Sequence, residues 1–418
     1  MRILALGLDQ SNFLVQLYKG MKEIKNDFYI GILSVRNLDK KANDDFLNVF
    51  DKIYSKKKIP FLRYFEACFS VLISGWFWRF FIYILVIERK FKKAAHFIIV
   101  SIGEKALILQ QDDFLQYEVF HFHYIQYSYL RMLWMLPKNR KIVCSFWGSD
   151  LLRTSDSFNH YIVREALQKA DKITVQTIEM KEIVLSKYGR VLLDKIELAI
   201  FPTDLKILNI IDQTEQDKLI QLQLCDKLSI NYNKIKVVIG HNANPFNNHI
   251  RIIEQLKNIS NKQNLQLLIP FTYGISLGEK EKYKIEIIKA LKDAGIAYVI
   301  IEEYMPIKEL ALLRSITDIM IHLPSSDALS AALTEAAYAG SIILTGGWLP
   351  YSPFKIAKLK MSFIYKFEEL KDEMDEILVN FEQTKIDTKI INKNKVYENF
   401  KPEVTSRAWV DLFLKLAV

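Results

Sequence analysis

The chain has 418 residues, half of them apolar and a quarter charged, with a net charge of +9. That length exceeds what one hydrophobic core usually organises, so two domains are expected, and the sparse, odd set Cys68, Cys144 and Cys225 excludes a disulfide framework or a cysteine metal cluster and fits a reducing compartment. The positive balance points to an anionic partner: nucleic acid, an acidic membrane surface or a phosphorylated substrate.

The opening MRILALGLDQSNF lacks the basic and long apolar regions of a secretory signal, so none is expected. RILALGL (2–8) reads as a buried strand followed by a turn and a helical pattern. FYIGILSV (28–35) repeats the strand signal. The segment 59–93 then breaks the pattern. It is dense in aromatic and aliphatic residues, preceded by Lys56, Lys57 and Lys58 and followed by Arg89, Lys90, Lys92 and Lys93. Glu66 and Arg79 interrupt its apolar runs, which are shorter than the ~20 residues a spanning helix needs. Two readings stay open: buried helices of the first domain, or an element lying on an anionic membrane surface.

Strand signals resume at 117–125, 140–146 and 171–177, separated by helical stretches such as HYIVREALQKA (160–170). After AIFPTDLKIL (199–208) the alternation restarts, with strands expected at 234–240, 265–271, 297–303, 318–323 and 341–346. Apolar strands alternating with helices indicate parallel sheets covered on both faces. The expected organisation is two α/β units in tandem: a domain at 1–200, a second at 201–390, and a helical segment at 391–418 packing back on the first.

Between the last two strands lies PSSDALSAALTEAAYAG (324–340). The serines suit a loop, Gly340 a helix terminator, and a helix is expected to start near Leu329 or Ser330. Asp327 then sits at the carboxyl end of a strand and Glu335 about two turns into the helix. Ligands of open parallel sheets bind at that edge. The small residues from Ser330 leave the helix start open to phosphate. A carboxylate only accepts hydrogen bonds, so Glu335 suits two ribose hydroxyls and Asp327 those of a second sugar. Alone, the pair reads equally as a capping Asp and an exposed helix Glu.

The order strand, PSSD, seven residues, Glu, Ala-Gly-type turn, strand resembles the retaining GT-B glycosyltransferases of the family-four type, whose motif is Glu, seven residues, Glu. Here Asp327 stands in place of the first Glu. IVCSFWGSDLL (142–152) is similar to that family's Gly-Ser-Asp turn, with Trp147 where a His often stands before Gly148 and Ser149. The strand end FHFHYI, carrying His121 and His123, and the linker AIFPTDL fall in the expected order. The family's usual Arg–Lys diphosphate clamp after Gly240 is missing. In its place NPFNNH, together with LLIPFTYG (267–274), resembles the Fuc4NAc transferases. The resemblance covers ordered landmarks over most of 115–350.

It implies an α/β fold of the GT-B kind, two Rossmann-like domains facing each other across a cleft. It implies transfer of a sugar from a nucleotide-sugar donor, retaining and without a metal or other cofactor. Donor contacts would fall on Glu335, Ser330, Gly240, Asn244, Asn247, Asn248, His249, Tyr273 and Gly274. Asp327 would touch the sugar. Asp150 and His123 are the base candidates if the reaction inverts, and Trp147, Gly148, Ser149 and His121 would border the acceptor. From the residues alone, GHNANPFNNHI is also a plain Asn-rich turn, the histidines a packed pair, and Asp150 a helix cap. The basic aromatic segment suggests a lipid-linked saccharide acceptor, in cell-surface polysaccharide synthesis at the cytoplasmic face of the membrane, with no nucleic-acid partner. A GT-B-fold sugar-nucleotide epimerase and a non-catalytic membrane- or nucleic-acid-binding protein are the competing readings.

Overall fold

The computed structural model describes residues 1–7, 11–33, 44–54 and 59–417. Lys56, Lys57 and Lys58, and the ends of the first two expected strands (Leu8, Ser34 and Val35), lie outside the described residues. The chain divides into two compact units, Met1–Pro202 with Thr405–Val418, and Thr203–Val404.

The first unit carries a sheet of β1 (Arg2–Leu6), β2 (Tyr29–Leu33), β3 (Lys52–Tyr54), β4 (Val119–His123), β5 (Lys141–Ser145), β6 (Lys172–Val175) and β7 (Ile196–Leu198). All pairs are parallel, in the order β3-β2-β1-β4-β5-β6-β7. Ile3, Leu4 and Ala5 of β1 are fully buried, as befits a central strand covered on both faces. The core joins Ile3, Val119 and Val143 to Leu14, Leu17 and Tyr18 of the helix Asn12–Ile24.

The second sheet holds β8 (Ile235–Ile239), β9 (Leu265–Pro270), β10 (Ala297–Ile301), β11 (Ile319–His322), β12 (Ile342–Gly346) and β13 (Ser362–Ile364). It too is parallel, in the order β10-β9-β8-β11-β12-β13. In both sheets the strand order reverses beside the unit's first strand, at β1/β4 and at β8/β11. Chains leaving those strands diverge to opposite faces and open a crevice at the carboxyl edge.

The three strands that the sequence pattern does not announce, β3, β7 and β13, have three residues each and lie at sheet edges. The return to the first unit begins at Thr405 rather than at 391. Residues 391–404 stay with the second unit, where Lys393 of the helix Phe381–Phe400 pairs with Asp212 at 2.8 Å and Glu215 at 2.9 Å. Beyond Thr405, Trp409 and Phe413 are fully buried in the first core, and the Trp409 indole N–H donates to the Ile200 carbonyl at 2.8 Å.

The segment 59–93 forms the helices Phe61–Leu72 and Gly75–Ile82, a π-helical turn Tyr83–Ile87, and the start of the helix Phe91–Leu109. The segment has one buried and one exposed face. Ala67, Val71, Phe77, Phe80, Ile84 and Phe97 are buried, whereas Phe61 is 85% exposed, Phe65 69%, Phe69 66% and Ile73 68%. Spacing of four places 61, 65, 69 and 73 on one stripe of the helix and its end. Soluble surfaces rarely expose so contiguous an apolar row. Among the described residues no single helix is long and apolar enough to cross a membrane. The pair Phe61–Leu72 and Gly75–Ile87 meets that length and composition only together, bent by 72°.

Candidate functional site

The second unit concentrates charge at the carboxyl edge of β8 and β11. After β11 the chain passes through Leu329 at φ +50°, and Ser330 precedes a helix at Ala331–Tyr338 that Gly340, at φ +88°, terminates. Glu335 lies on the second turn of that helix. Its carboxylate accepts from Arg314 Nε at 3.1 Å, and both side chains are nearly buried. Arg314 comes from the neighbouring helix Ile307–Ile316. Burial pushes the Glu335 carboxyl up, partly offset by the guanidinium.

Asp327 sits in the loop before the helix with about a fifth of its side chain exposed. Its Oδ2 is 3.0 Å from His322 Nε2 and accepts from the Tyr351 hydroxyl at 3.1 Å, and its Oδ1 accepts from the Ala328 N–H at 2.9 Å. Burial opposes ionisation, but the His322 hydrogen bond and charge, the nearby His241 and the Ala328 N–H outweigh it. The carboxyl is held well below the usual range. The result is an anion fixed in one orientation at the mouth of a helix. His322 and Tyr351, both fully buried, escaped the sequence reading. One is the last residue of an apolar strand and the other lies 24 residues beyond Asp327, so no local spacing links them.

The loop after β8 is built differently from expectation. Gly240 has φ +67°, and a Cβ there would lie 2.6 Å from His249 Nε2, so only glycine fits. Pro245–Asn247 is a single 3₁₀ turn, and the helix proper is His249–Leu256. Asn244 accepts from the Phe246 N–H and donates to the Gly274 carbonyl. Asn247 is buried and donates to Asn242 Oδ1 at 2.8 Å, and Asn248 donates to the Leu323 carbonyl at 2.8 Å. His249 is fully buried beside Tyr283, its imidazole pushed down to about 3 by burial. The amide donors of the three asparagines are spent on protein acceptors, whereas His249 Nε2 is buried without a partner. What the loop offers an anion is backbone N–H groups at the start of the helix. Tyr273 is exposed next to Gly274, and its carbonyl accepts from the Ala243 N–H at 2.7 Å.

The first unit's edge corrects the base candidates. His121 and His123 share one face of β4, as alternation requires, but neither has an exposed atom. The Trp147 indole N–H points at His123 Nδ1 at 3.3 Å, which leaves the proton of a neutral His123 on Nε2. The chain then runs from Nε2 to the Tyr18 oxygen at 2.8 Å, from that hydroxyl to His121 Nδ1 at 2.8 Å, and from His121 Nε2 to Ser145 Oγ at 2.6 Å. Burial lowers both imidazoles, His121 to about 3. Asp150 is likewise fully buried and accepts the N–H groups of Ile125, Trp147 and Gly148 at 2.7, 2.9 and 2.8 Å. Burial pushes its carboxyl up to about 6 against those three bonds. Neither residue is placed to take a proton from a ligand. Trp147 packs on Phe13 and Phe201, and Ser149 Oγ lies 2.9 Å from the Tyr124 hydroxyl. Among the described residues no three His, Cys, Asp or Glu side chains gather as a metal set would.

No protein-family model and no curated protein matches this sequence. Solved structures do. The chain is similar to Anabaena HepE, crystallised with UDP and glucose, at 10% identity and a TM-score of 0.63, covering 99% of this chain and 100% of that one. It is similar to sucrose-phosphate synthase from Thermosynechococcus elongatus at 10% identity and a TM-score of 0.69, covering 100% and 99%. A glycosyltransferase from Rickettsia africae aligns at 14% identity and a TM-score of 0.67, covering 100% and 98%. Near-complete coverage of both chains, with two parallel sheets of seven and six strands, makes this the GT-B fold, two Rossmann-like units in succession.

Proposed function

We propose that the protein is a glycosyltransferase that moves a sugar from a nucleotide-sugar donor to the hydroxyl of an acceptor. The observation that carries this reading is Asp327, an ionised carboxylate held by His322 and Tyr351 just before the helix that presents Glu335. Glu335 accepts the ribose hydroxyls, Arg314 orients it, and Asp327 accepts a hydroxyl of the transferred hexose or amino-deoxyhexose. Backbone N–H groups at the starts of His249–Leu256 and Ala331–Tyr338 stabilise the charge that develops on the departing diphosphate. The resemblance to family-four enzymes and to the Fuc4NAc transferases supports retention of configuration and an uncharged phosphate loop without a resident metal or cofactor. The burial of His123 and Asp150, which removes both candidate bases, supports retention as well. The leaving phosphate itself then takes the acceptor proton. HepE binds UDP and glucose, which favours a UDP-sugar among the donors. The exposed apolar stripe of Phe61–Leu72 supports a lipid-linked saccharide acceptor at an anionic membrane surface, in cell-surface polysaccharide synthesis on the cytoplasmic side.

The test is calorimetric binding of UDP-, GDP- and dTDP-sugars to the whole protein and to Glu335→Gln, which keeps the side-chain volume beside Arg314. One sugar nucleotide should bind, and the variant should weaken it about tenfold to a hundredfold, the worth of hydrogen bonds to a charged group. Binding of none of them, or equal affinity in the variant, would falsify the donor assignment. Incubation with the bound donor alone, without acceptor, separates transfer from epimerisation.

A further inference from the structure

The first unit holds a second polar site. A cavity of about 440 Å³ opens beyond the carboxyl ends of β4 and β5, lined in part by Lys90, Lys93, Tyr127, Arg153, Asp156 and Asn159. Its floor is Asn159, only 4% exposed. Asn159 Oδ1 accepts the Tyr127 N–H at 2.8 Å, which fixes the amide orientation, because a backbone N–H can only donate. The Nδ2 donor is therefore the group left over, and it is buried without a partner. An unmet donor in such a place is destabilising unless a ligand acceptor fills it.

Three cations line the same cavity. Lys93 is held by Glu88 at 2.8 Å and Asp156 at 3.2 Å, over the Phe158 ring. Lys90 and Arg153 are exposed at the opening, Lys90 lying 3.7 Å from Glu88 and 3.8 Å from Asp156. The two carboxylates are already engaged. Asp156 caps the helix Ser157–Lys169 through the Asn159 N–H, and Glu88 accepts from Ser157 as well as Lys93. Lys90, Lys93 and Arg153 bring cations to the cavity and Asn159 an orphan donor, the complement of a phosphate. Its rim is apolar on one side. Lys90 stands between Ile87 and Phe91, which are 64% and 72% exposed and continue the apolar surface of the preceding helices.

We propose that this cavity binds the phosphate or diphosphate headgroup of a lipid whose chains lie along the exposed apolar face of residues 61–91. The inference deepens the transferase reading by giving a lipid-linked acceptor's phosphate a place, and rests on that reading only for calling the lipid an acceptor. Asn159 Nδ2 and Lys93 Nζ donate to the phosphate oxygens from below, and Lys90 and Arg153 close over it from the rim.

Co-sedimentation of the full chain with phosphatidylcholine vesicles, with and without phosphatidic acid, tests it, alongside calorimetry with soluble inorganic pyrophosphate. The wild type should sediment with the phosphatidic-acid vesicles. Lys90→Gln/Arg153→Gln should weaken that binding roughly thirtyfold, at about fivefold per charge near a surface, and the unfolding temperature of the same samples checks that the fold is kept. Phe65→Ser/Phe69→Ser should weaken vesicle binding and leave pyrophosphate binding as it was. Vesicle binding that ignores Lys90→Gln/Arg153→Gln overturns the site. Pyrophosphate bound as tightly as the vesicles, with Phe65→Ser/Phe69→Ser without effect, overturns the lipid assignment in favour of free phosphate. Nucleotide-sugar binding measured on the same samples keeps the two readings apart, since its absence alongside phosphatidic-acid binding counts only against the transferase.

Discussion

The two sheets place acids and histidines at corresponding edges and use them in opposite ways. At the carboxyl edge of the first sheet, His121, His123 and Asp150 are sealed from solvent, with every one of their bonds running to protein groups. At the edge of the second, Asp327 keeps part of its surface open while His322 and Tyr351 hold it from behind. A polar residue at the right topological position is therefore not evidence of a site. The evidence is a charged group that its neighbours orient but do not exhaust.

Acid is the strongest probe of this contrast. His121 and His249 are each held near 3 by burial, against an ordinary value near 6.5. As pH falls below about 6.5, the unfolded chain takes up protons that the folded chain refuses. Stability should then drop by about 1.4 kcal/mol per pH unit for each histidine until the folded imidazoles titrate. Asp327 acts only lower. Its folded pKa is depressed, so its contribution is complete above the ordinary carboxylate range and is lost as pH falls through and below it. A urea midpoint unchanged between pH 7 and 5 would show that the buried imidazoles accept protons in place.

Removing one partner of the Glu335–Arg314 pair should cost about 3–5 kcal/mol, because the other charge stays buried. Glu335→Leu and Arg314→Leu are both expected to unfold at lower denaturant, whereas Glu335→Gln, which keeps an acceptor for Arg314 Nε but not the charge, should lose donor binding and less stability than Glu335→Leu. Equal stability losses for Gln and Leu would make Glu335 a structural residue.

Asp150→Ala strips three backbone N–H groups of their acceptor and should cost about 3 kcal/mol or more. Asp327→Ala loses one backbone partner and leaves His322 and Tyr351 bonded to each other, 3.0 Å apart. Its stability should fall by about 1 kcal/mol, while affinity for the sugar nucleotide drops relative to that for the free nucleoside diphosphate. The reverse ranking, in stability or in binding, breaks the comparison between the two edges. The smallest effect belongs to the surface. Phe65→Ser should change stability by less than about 0.5 kcal/mol, although Phe65 is a large apolar residue.

The sequence was most readable where a strand is a run of apolar residues with nothing else to do. The ten expected strands are such runs, and each contains one of the observed strands within the described residues. KIY, IEL and SFI, by contrast, are three-residue edge strands that earn their pairing from a neighbour rather than from their own pattern. The helix that carries Glu335 was legible from its small residues and terminal glycine. The partners of the two acids were not, since Arg314 reaches Glu335 across 21 residues and His322 looks like the end of a buried strand. The burial of His123 and the bonds of the Asn247 amide donor could not be read in advance: donors and acceptors are visible in a sequence, but whether the protein itself already engages them is a property of three-dimensional packing.

The return of the last helix has a consequence in time. Trp409 completes the first core by bonding to Ile200, 209 residues earlier in the chain. At a synthesis rate of about 5–20 residues per second, that partner arrives some ~10–40 s after Ile200 has been made. Throughout that interval the amino-terminal sheet has no Trp409 or Phe413 to cover it, while the unbroken stretch Thr203–Val404 is free to finish folding. The first unit to begin is thus the last to close, and the wait exposes its sheet to whatever else in the cell binds a nascent apolar surface.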